Sequence, residues 1–183
     1  MTQPSAPTGR LRHVLGRTFA AFRHREFRIY FTGQVISVTG TWMQQVAIGW
    51  LALLLTGSPF ALGLVAAARS LPILLFSFAG GIAADRYSRR TLLMIANTAA
   101  GVFSVALAFL TLTDLITIEM LVGLAFLLGI TNALEIPSRQ SFIVQLAGRA
   151  DLANAIALNS LQFNTARVLG PALAGIVVAL AGP

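Results

Sequence analysis

Five long apolar stretches alternate with short polar segments along this chain. They cover residues 29–55, 60–84, 91–113, 117–146 and 151–181. Because about 20 apolar residues carry a helix across the hydrocarbon core of a bilayer, each stretch is long enough to span it. The pattern predicts an all-α integral membrane protein with five transmembrane helices, of which the last two are long enough to project from the bilayer.

The composition agrees with this prediction. Of the 183 residues, 56% are hydrophobic and 10% are charged, whereas an ordinary soluble domain is about 25% charged. The chain has no cysteine, and its two histidines, His13 and His24, precede the first apolar stretch. Disulfides and thiolate sites are therefore excluded, and we expect no metal and no cofactor.

The residues that membrane enzymes require are also missing from the sequence. A phosphatidyltransferase needs several aspartates at fixed spacing, and Asp85 stands alone. An intramembrane protease needs paired aspartates, a His-Glu-x-x-His motif, or a serine with a membrane histidine. We therefore expect that the protein is not an enzyme.

The basic residues mark one side of the membrane. All 13 are arginines, and eleven of them lie within residues 1–28, 85–91 and 139–149, while the connectors 56–59 and 114–116 contain none. The positive-inside rule explains this distribution better than a nucleic-acid-binding surface does. We expect a multi-pass protein with a cytoplasmic N-terminus and no nucleic-acid partner.

Residues 1–28 form a predicted cytoplasmic tail. Five apolar residues in it recur at helical spacing: Leu11, Val14, Leu15, Phe19 and Phe22. The tail is either an amphipathic helix on the inner leaflet or an ordinary solvated segment. A cleaved signal peptide is rejected, because the apolar run that follows is too long and no small-residue cleavage pattern ends it.

A stripe of polar residues runs along the first apolar stretch. At 100° per residue they fall within about 100° of one helix face, and they are Gln34, Ser37, Thr41, Gln44 and Gln45. Such side chains serve either hydrogen bonding between helices or a water-accessible cavity. Five of them exceed what packing requires, which favours the cavity.

Asn132, Glu135 and Arg139 share one face of the fourth stretch. Glu135 precedes Arg139 by four residues, which is the favourable order for an ion pair within a helix. Glu135 is also the deepest carboxylate of the chain, so it is either a proton carrier or one member of a static pair. Pro137 lies between the two residues and predicts a kink.

Two arginines lie deep inside predicted helices. Arg69 is about 14 Å from the outer end of the second helix, and Arg167 is about 24 Å from the start of the fifth. A lone arginine at such depth costs ~2.5 kcal/mol or more. We expect both to face the bundle interior, Arg167 on the same face as Asn164, with either a structural or a functional partner.

The segment between the second and third stretches resembles the loop 2–3 signature of the major facilitator superfamily: Gly81-x-x-x-Asp85-Arg86-x-x-Arg89-Arg90. Ser88 replaces the usual second glycine. In the fifth stretch, the segment that follows Arg167 resembles the antiporter signature of helix 5: Gly170-Pro171-x-x-x-Gly175. Ala166 and Ile176 depart from that pattern.

Three further blocks are similar to the branch of this superfamily that holds the enterobactin exporter and the transmembrane secretion effectors. They are residues 40–45, 55–59 and 136–140. The resemblance extends over residues 23–183 and implies a twelve-helix transporter of two halves in a bacterial inner membrane. Residues 29–183 would then be an incomplete N-terminal half that stops before helix 6.

The resemblance implies a proton-coupled exporter of a small or amphipathic molecule, such as a siderophore-like metabolite or a drug, that works by alternating access. Its partners would be the lipid bilayer, the substrate, protons and the missing C-terminal half, without which the fragment is expected to be inactive. The alternative is a half-transporter or a non-transporting membrane partner that assembles with another chain.

The residues also suggest a mechanism for this exporter. Asp85 can accept bonds from Arg89 and from the start of the next helix, so the loop can hold the cytoplasmic side closed in one conformation. Gly170 and Pro171 would let the fifth helix bend and pack closely against the missing half. The polar residues of the first and fourth helices would line the path.

Overall fold

The computed structural model describes residues 20–23 and 25–181, and it is helical almost throughout. A 3₁₀ turn, Ala20–Arg23, precedes helix α1. The five long helices are α1 (Arg25–Thr56), α2 (Pro59–Arg86), α3 (Arg89–Leu112), α4 (Ile118–Gly148) and α5 (Asp151–Leu180). All five are long and apolar enough to cross a membrane. The predicted all-α fold with five transmembrane helices is confirmed, and the protein is a multi-pass membrane protein.

Local sequence explains where these helices begin and end. Gly57 adopts φ 64° after α1, a conformation that glycine reaches without steric cost. Ser58 then caps α2 by accepting a hydrogen bond from the Phe60 amide at 3.2 Å, and Pro59 occupies the first helical position, where its missing N–H is harmless. These residues make the α1–α2 connection short and well defined.

The boundary between α4 and α5 lies at Gly148, with φ 65° and ψ 172°. Within the segment 118–181 this is the residue with non-helical dihedral angles. The backbone break therefore falls at Gly148, between the fourth and fifth predicted stretches, while the kink predicted at Pro137 stays a prediction.

Helices α2 and α4 approach closely at two glycine–proline contacts. A Cβ added to Gly80 of α2 would overlap the carbonyl oxygen of Ala133 and lie 3.3 Å from Cγ of Pro137. A Cβ added to Gly129 of α4 would overlap the carbonyl oxygen of Arg69 and lie 3.0 Å from Cγ of Pro72. Each helix thus offers one glycine and one proline to the other, and the absence of a Cβ lets the backbones meet.

Helices α1 and α5 meet in the same way at Gly170. Its added Cβ would lie 2.5 Å from Cβ of Trp42 and 3.1 Å from the carbonyl oxygen of Thr39. The prediction that Gly170 packs against the missing half of a transporter is therefore wrong. The glycine faces α1 because it belongs to the buried stripe of α5 that includes Ala166 and Ala174.

Two apolar clusters hold the helix ends. At the side where α1 begins, Phe27 packs with the end of α4 and the start of α5, and Phe22 lies edge-on to Phe27 at 5.6 Å between ring centroids. At the opposite side, the ends of α1 and α3 pack with the starts of α2 and α4 around Leu121. The predicted tail covers residues 1–28, and of these the 3₁₀ turn Ala20–Arg23 and the start of α1 from Arg25 lie within the described residues.

The orientation of the bundle is a testable prediction. Reporter enzymes fused after Ser58 should behave as external, and those fused after Ser88 as cytoplasmic, because the arginines flank Ser88 and avoid Ser58. Alkaline phosphatase and green fluorescent protein fusions measure this directly, since the first is active only outside and the second fluoresces only inside. Reversed labelling would contradict the assigned orientation.

Candidate functional site

A cavity of about 960 Å³ lies between the helices and is lined by residues from all five of them. Helix α1 contributes its whole predicted polar stripe: Gln34, Ser37, Thr41, Gln44 and Gln45. Helix α4 contributes Asn132, Glu135 and Arg139, and α2 contributes Arg69. The polar residues that the sequence placed on separate helices therefore surround one space.

An ion pair stands at one end of this cavity. Nε of Arg139 lies 3.2 Å from Oε1 of Glu135, with 10% and 16% of the two side chains exposed. The two groups are close enough to form an ion pair, but they do not form a hydrogen bond, because the N–H of Arg139 Nε is not directed at an acceptor. Nε2 of Gln34 donates to the same Oε1 at 3.5 Å, and the Arg139 guanidinium lies 5.7 Å from the Phe163 ring centroid. Glu135 thus links α1 to α4.

Helix α3 supplies a polar face that the sequence analysis missed. Nε2 of Gln44 donates to Oγ of Ser104 at 2.9 Å, and Oγ of Ser104 donates to the Ala100 carbonyl at 2.7 Å. Asn97, Ser104 and Thr111 all line the cavity. They recur every seven residues, which places them on one side of a helix. That spacing was the available signal, and it is weak because only three residues carry it.

Arg69 brings a second cation into the cavity, near the middle of α2. Its Nη1 is fully buried and has no hydrogen-bond partner. None of the described residues forms an ion pair with it. A buried arginine without a partner is unfavourable in a membrane protein, by roughly 2.5–3.5 kcal/mol on insertion scales.

Arg167 and Asn164 lie outside the lining of this cavity, and the expectation that Arg167 faces the bundle interior stays a prediction. Both side chains are exposed, and Nδ2 of Asn164 donates to the Ser160 carbonyl of its own helix at 2.8 Å. The Arg167 guanidinium lies 5.8 Å from the ring centroid of Trp42, a cavity residue. The physical reason is that α5 packs through its Ala166–Gly170 stripe, which leaves Arg167 at the edge of the interface.

The remaining residues of the helix 5 signature also lie apart from the cavity. Pro171 is half-buried, and an added Cβ at Gly175 would meet nothing within 4 Å. Of the whole signature, Gly170 alone has a packing role that the structure explains.

The loop 2–3 signature forms a separate small site at the turn between α2 and α3. Asp85 and Arg89 line a hollow of about 200 Å³ together with Gln145 of α4. Within the described residues the two charged side chains form no ion pair, and Ser88 makes no side-chain cap at the start of α3. Arg86 and Arg90 are exposed, and Gly81 has free space around its Cα. The expected bond between Asp85 and Arg89 is therefore not formed in this conformation.

Sequence comparisons place the chain among transporters. The profile of the transmembrane secretion effector family matches residues 16–183. The chain is 30% identical to the staphyloferrin A transporter of Staphylococcus aureus, over 84% of this chain and 39% of the relative. It is 30% identical to the multidrug efflux pump Tap of Mycolicibacterium fortuitum, over 75% of this chain and 35% of the relative.

A third relative is the enterobactin exporter EntS of Citrobacter koseri, 24% identical over 87% of this chain and 38% of the relative. The chain therefore spans between a third and two fifths of the length of these relatives. No solved structure matches it significantly.

Proposed function

The chain belongs to the transmembrane secretion effector family of major facilitator transporters, and we propose that it forms the N-terminal part of a proton-coupled exporter of small amphipathic molecules. The observation that carries this proposal is the 960 Å³ cavity, in which polar residues of α1, α3 and α4 face one space between apolar helices. A space of this size is typical of small-molecule sites. It is the cargo site of the proposed exporter.

A second half of the transporter would complete this cavity. Among the lining residues, Gln45 of α1 and Asn97 of α3 remain exposed. Exposed polar side chains on helices that cross a membrane are costly unless protein or water covers them. We propose that the six helices of a C-terminal half cover this side, so that transport depends on both halves.

Glu135 is the proposed proton carrier. It is a carboxylate inside the cavity, and its ion pair with Arg139 and its bond from Gln34 connect two helices. Protonation would remove the charge that holds Arg139 and would loosen this connection. Proton binding and helix movement are then linked, as alternating access requires.

Asp85 and its arginines are the proposed gate at the cytoplasmic side. The hollow shared by Asp85, Arg89 and Gln145 connects the α2–α3 turn to α4. Closing a charge contact there in one conformation and opening it in the other would bias the equilibrium between the two states.

The cargo class is proposed from the relatives. Their names describe a staphyloferrin A transporter, an enterobactin exporter and a multidrug efflux pump. The test is retention of staphyloferrin A, enterobactin and ethidium in cells that lack their own exporters and express the complete transporter containing this chain. Lower retention of at least one, abolished by a protonophore, is expected. If none of the three leaves the cells, the proposal fails; if the protonophore has no effect, proton coupling fails.

Asp85→Asn supplies the matched variant for this assay. We expect turnover to fall by about five- to tenfold, which corresponds to a coupling free energy near the lower end of the usual range. Membrane insertion should remain normal, because Asp85 is exposed and its replacement by asparagine removes no packing volume. Unchanged efflux by both Asp85→Asn and Arg89→Ala would mean that the loop only sets topology.

A further inference from the structure

The cavity holds one cation more than its own anions balance. Among the residues that the structure describes, the charged side chains that line it are Arg69, Glu135 and Arg139. Glu135 is committed to Arg139, at 3.2 Å, and to Gln34. Two positive charges against one negative charge leave a balance of +1, and Arg69 carries it.

The position of Arg69 keeps it away from the carboxylate. Its carbonyl oxygen lies against Gly129 of α4, and Glu135 is six residues further along that helix. At 1.5 Å per residue the two levels are about 9 Å apart along the helix axis. In this structure Arg69 therefore lies at another level of the bundle from Glu135, and among the described residues Glu135 pairs with Arg139 and not with Arg69.

The surroundings of Arg69 fit a ligand with one polar end. Nη1 is buried and lacks an acceptor, while the cavity walls include the aromatic side chains of Trp42, Trp50 and Phe163. A guanidinium presents parallel N–H donors that match the two oxygens of a carboxylate. The guanidinium, which has no counter-charge among the described residues, and the apolar walls therefore define complementary parts of one ligand.

We propose that this cavity selects amphipathic ligands that carry a carboxylate, and that the carboxylate docks on the guanidinium of Arg69. The inference rests on the proposed function, since it takes the cavity as the cargo site. To that function it adds the negative charge of the cargo and the residue that binds this charge, Arg69. Binding neutralises the excess cation, and the apolar body of the ligand covers the aromatic walls.

The test uses binding to the complete transporter that contains this chain, in lipid nanodiscs and with the tryptophans outside this chain replaced by phenylalanine, with three dansyl probes that differ in their head group. Dansylglycine is anionic, dansylglycine amide is neutral and dansylcadaverine is cationic. Both tryptophans of the chain, Trp42 and Trp50, line the cavity. Energy transfer from tryptophan to dansyl therefore reports occupation of the cavity, and empty nanodiscs correct for partition into lipid.

We expect dansylglycine to bind about tenfold more tightly than its amide, the size of effect typical of a charged hydrogen bond. Arg69→Gln should abolish this preference, and Arg69→Lys should reduce it, because an ammonium lacks the planar fork. The matched control is Arg25→Gln, which removes the same charge from an exposed site at the start of α1. It should keep the full preference.

Several results would overturn the inference. With the unchanged protein, these are equal binding of dansylglycine and its amide, tightest binding of dansylcadaverine, or no saturable energy transfer with any probe. With the variants, they are a full preference for dansylglycine in Arg69→Gln, or a loss of that preference in Arg25→Gln as large as in Arg69→Gln. If Arg69→Gln does not fold, an undiminished preference in Arg69→Lys decides against it. If cells that express the complete transporter export dansylglycine and its amide equally well, the proposed exporter stands and this inference alone is rejected.

Discussion

Replacing Gly80 by alanine is expected to destabilise the bundle by about 1–3 kcal/mol, the usual cost of forcing extra volume into a packed interface. The added Cβ would overlap the carbonyl oxygen of Ala133, and the carbon of that carbonyl would lie 3.2 Å away. Both are backbone atoms, so no side-chain rotation relieves the overlap. The two helices would have to separate.

The neighbouring glycine provides a matched control. An added Cβ at Gly81 would meet nothing within 4 Å, so Gly81→Ala should be neutral or should stabilise α2 by up to about 1 kcal/mol through helix propensity. Thermal unfolding of both variants in detergent, followed by size-exclusion chromatography, gives the comparison. Equal midpoints for Gly80→Ala and Gly81→Ala would show that the α2–α4 contact is looser than described.

Replacing Glu135 by glutamine is the second change with a large expected effect. It leaves the guanidinium of Arg139 largely buried without its counter-charge. Removing one member of a fully buried pair costs about 3–5 kcal/mol. Because the two side chains keep 16% and 10% exposure, we expect about 2 kcal/mol here, allowing for partial solvation.

The double variant Glu135→Gln with Arg139→Gln separates the two roles left open for Glu135. It removes both charges, so at least half of the lost stability should return, since a buried pair adds little over neutral side chains. If Glu135 carries protons, the double variant of the complete transporter stays unable to couple efflux to the proton gradient. If the pair is static, efflux and its sensitivity to a protonophore return with stability.

The control for this pair is Gln44→Leu, which removes the bond to Ser104 without changing any charge. Its effect on stability should be smaller, about 1 kcal/mol, as for one neutral hydrogen bond. A loss as large as that of Glu135→Gln would assign the cost to helix packing and not to the uncompensated charge.

The sequence predicts the helices well because the bilayer sets their length. Each apolar run had to be long enough to cross, and the breaks between runs coincide with physical stop signals such as Gly57 and Gly148. The polar stripe of α1 could be predicted equally well, because the α-helical period places all its members on one face. The three polar residues of α3 repeat only every seven positions, and so few matches do not stand out.

What the sequence could not predict is which helix face meets which. A period identifies the residues that share a face, yet Gly170 and Arg167, three positions apart, have different surroundings. Gly170 lies against Cβ of Trp42 and the backbone of Thr39 and Met43, and Arg167 lies over the Trp42 ring. The partner of Arg69 was also beyond prediction. Its carbonyl contacts Gly129, sixty residues away, and only the assembled bundle reveals that its side chain forms no ion pair with any residue that the structure describes.

The pairing of α2 with α4, and of α1 with α5, has a consequence for biogenesis. The contacts are nested in sequence, with the Gly80–Pro137 contact between α2 and α4 enclosed by the Trp42–Gly170 contact between α1 and α5, so these close approaches join helices that are not neighbours in sequence. As the chain leaves the ribosome, the face of α1 that contacts Gly170 is made before α5, and the face of α2 that contacts Gly129 is made before α4. Until the partner helix is inserted, these helix faces must be covered by the insertion machinery or by lipid.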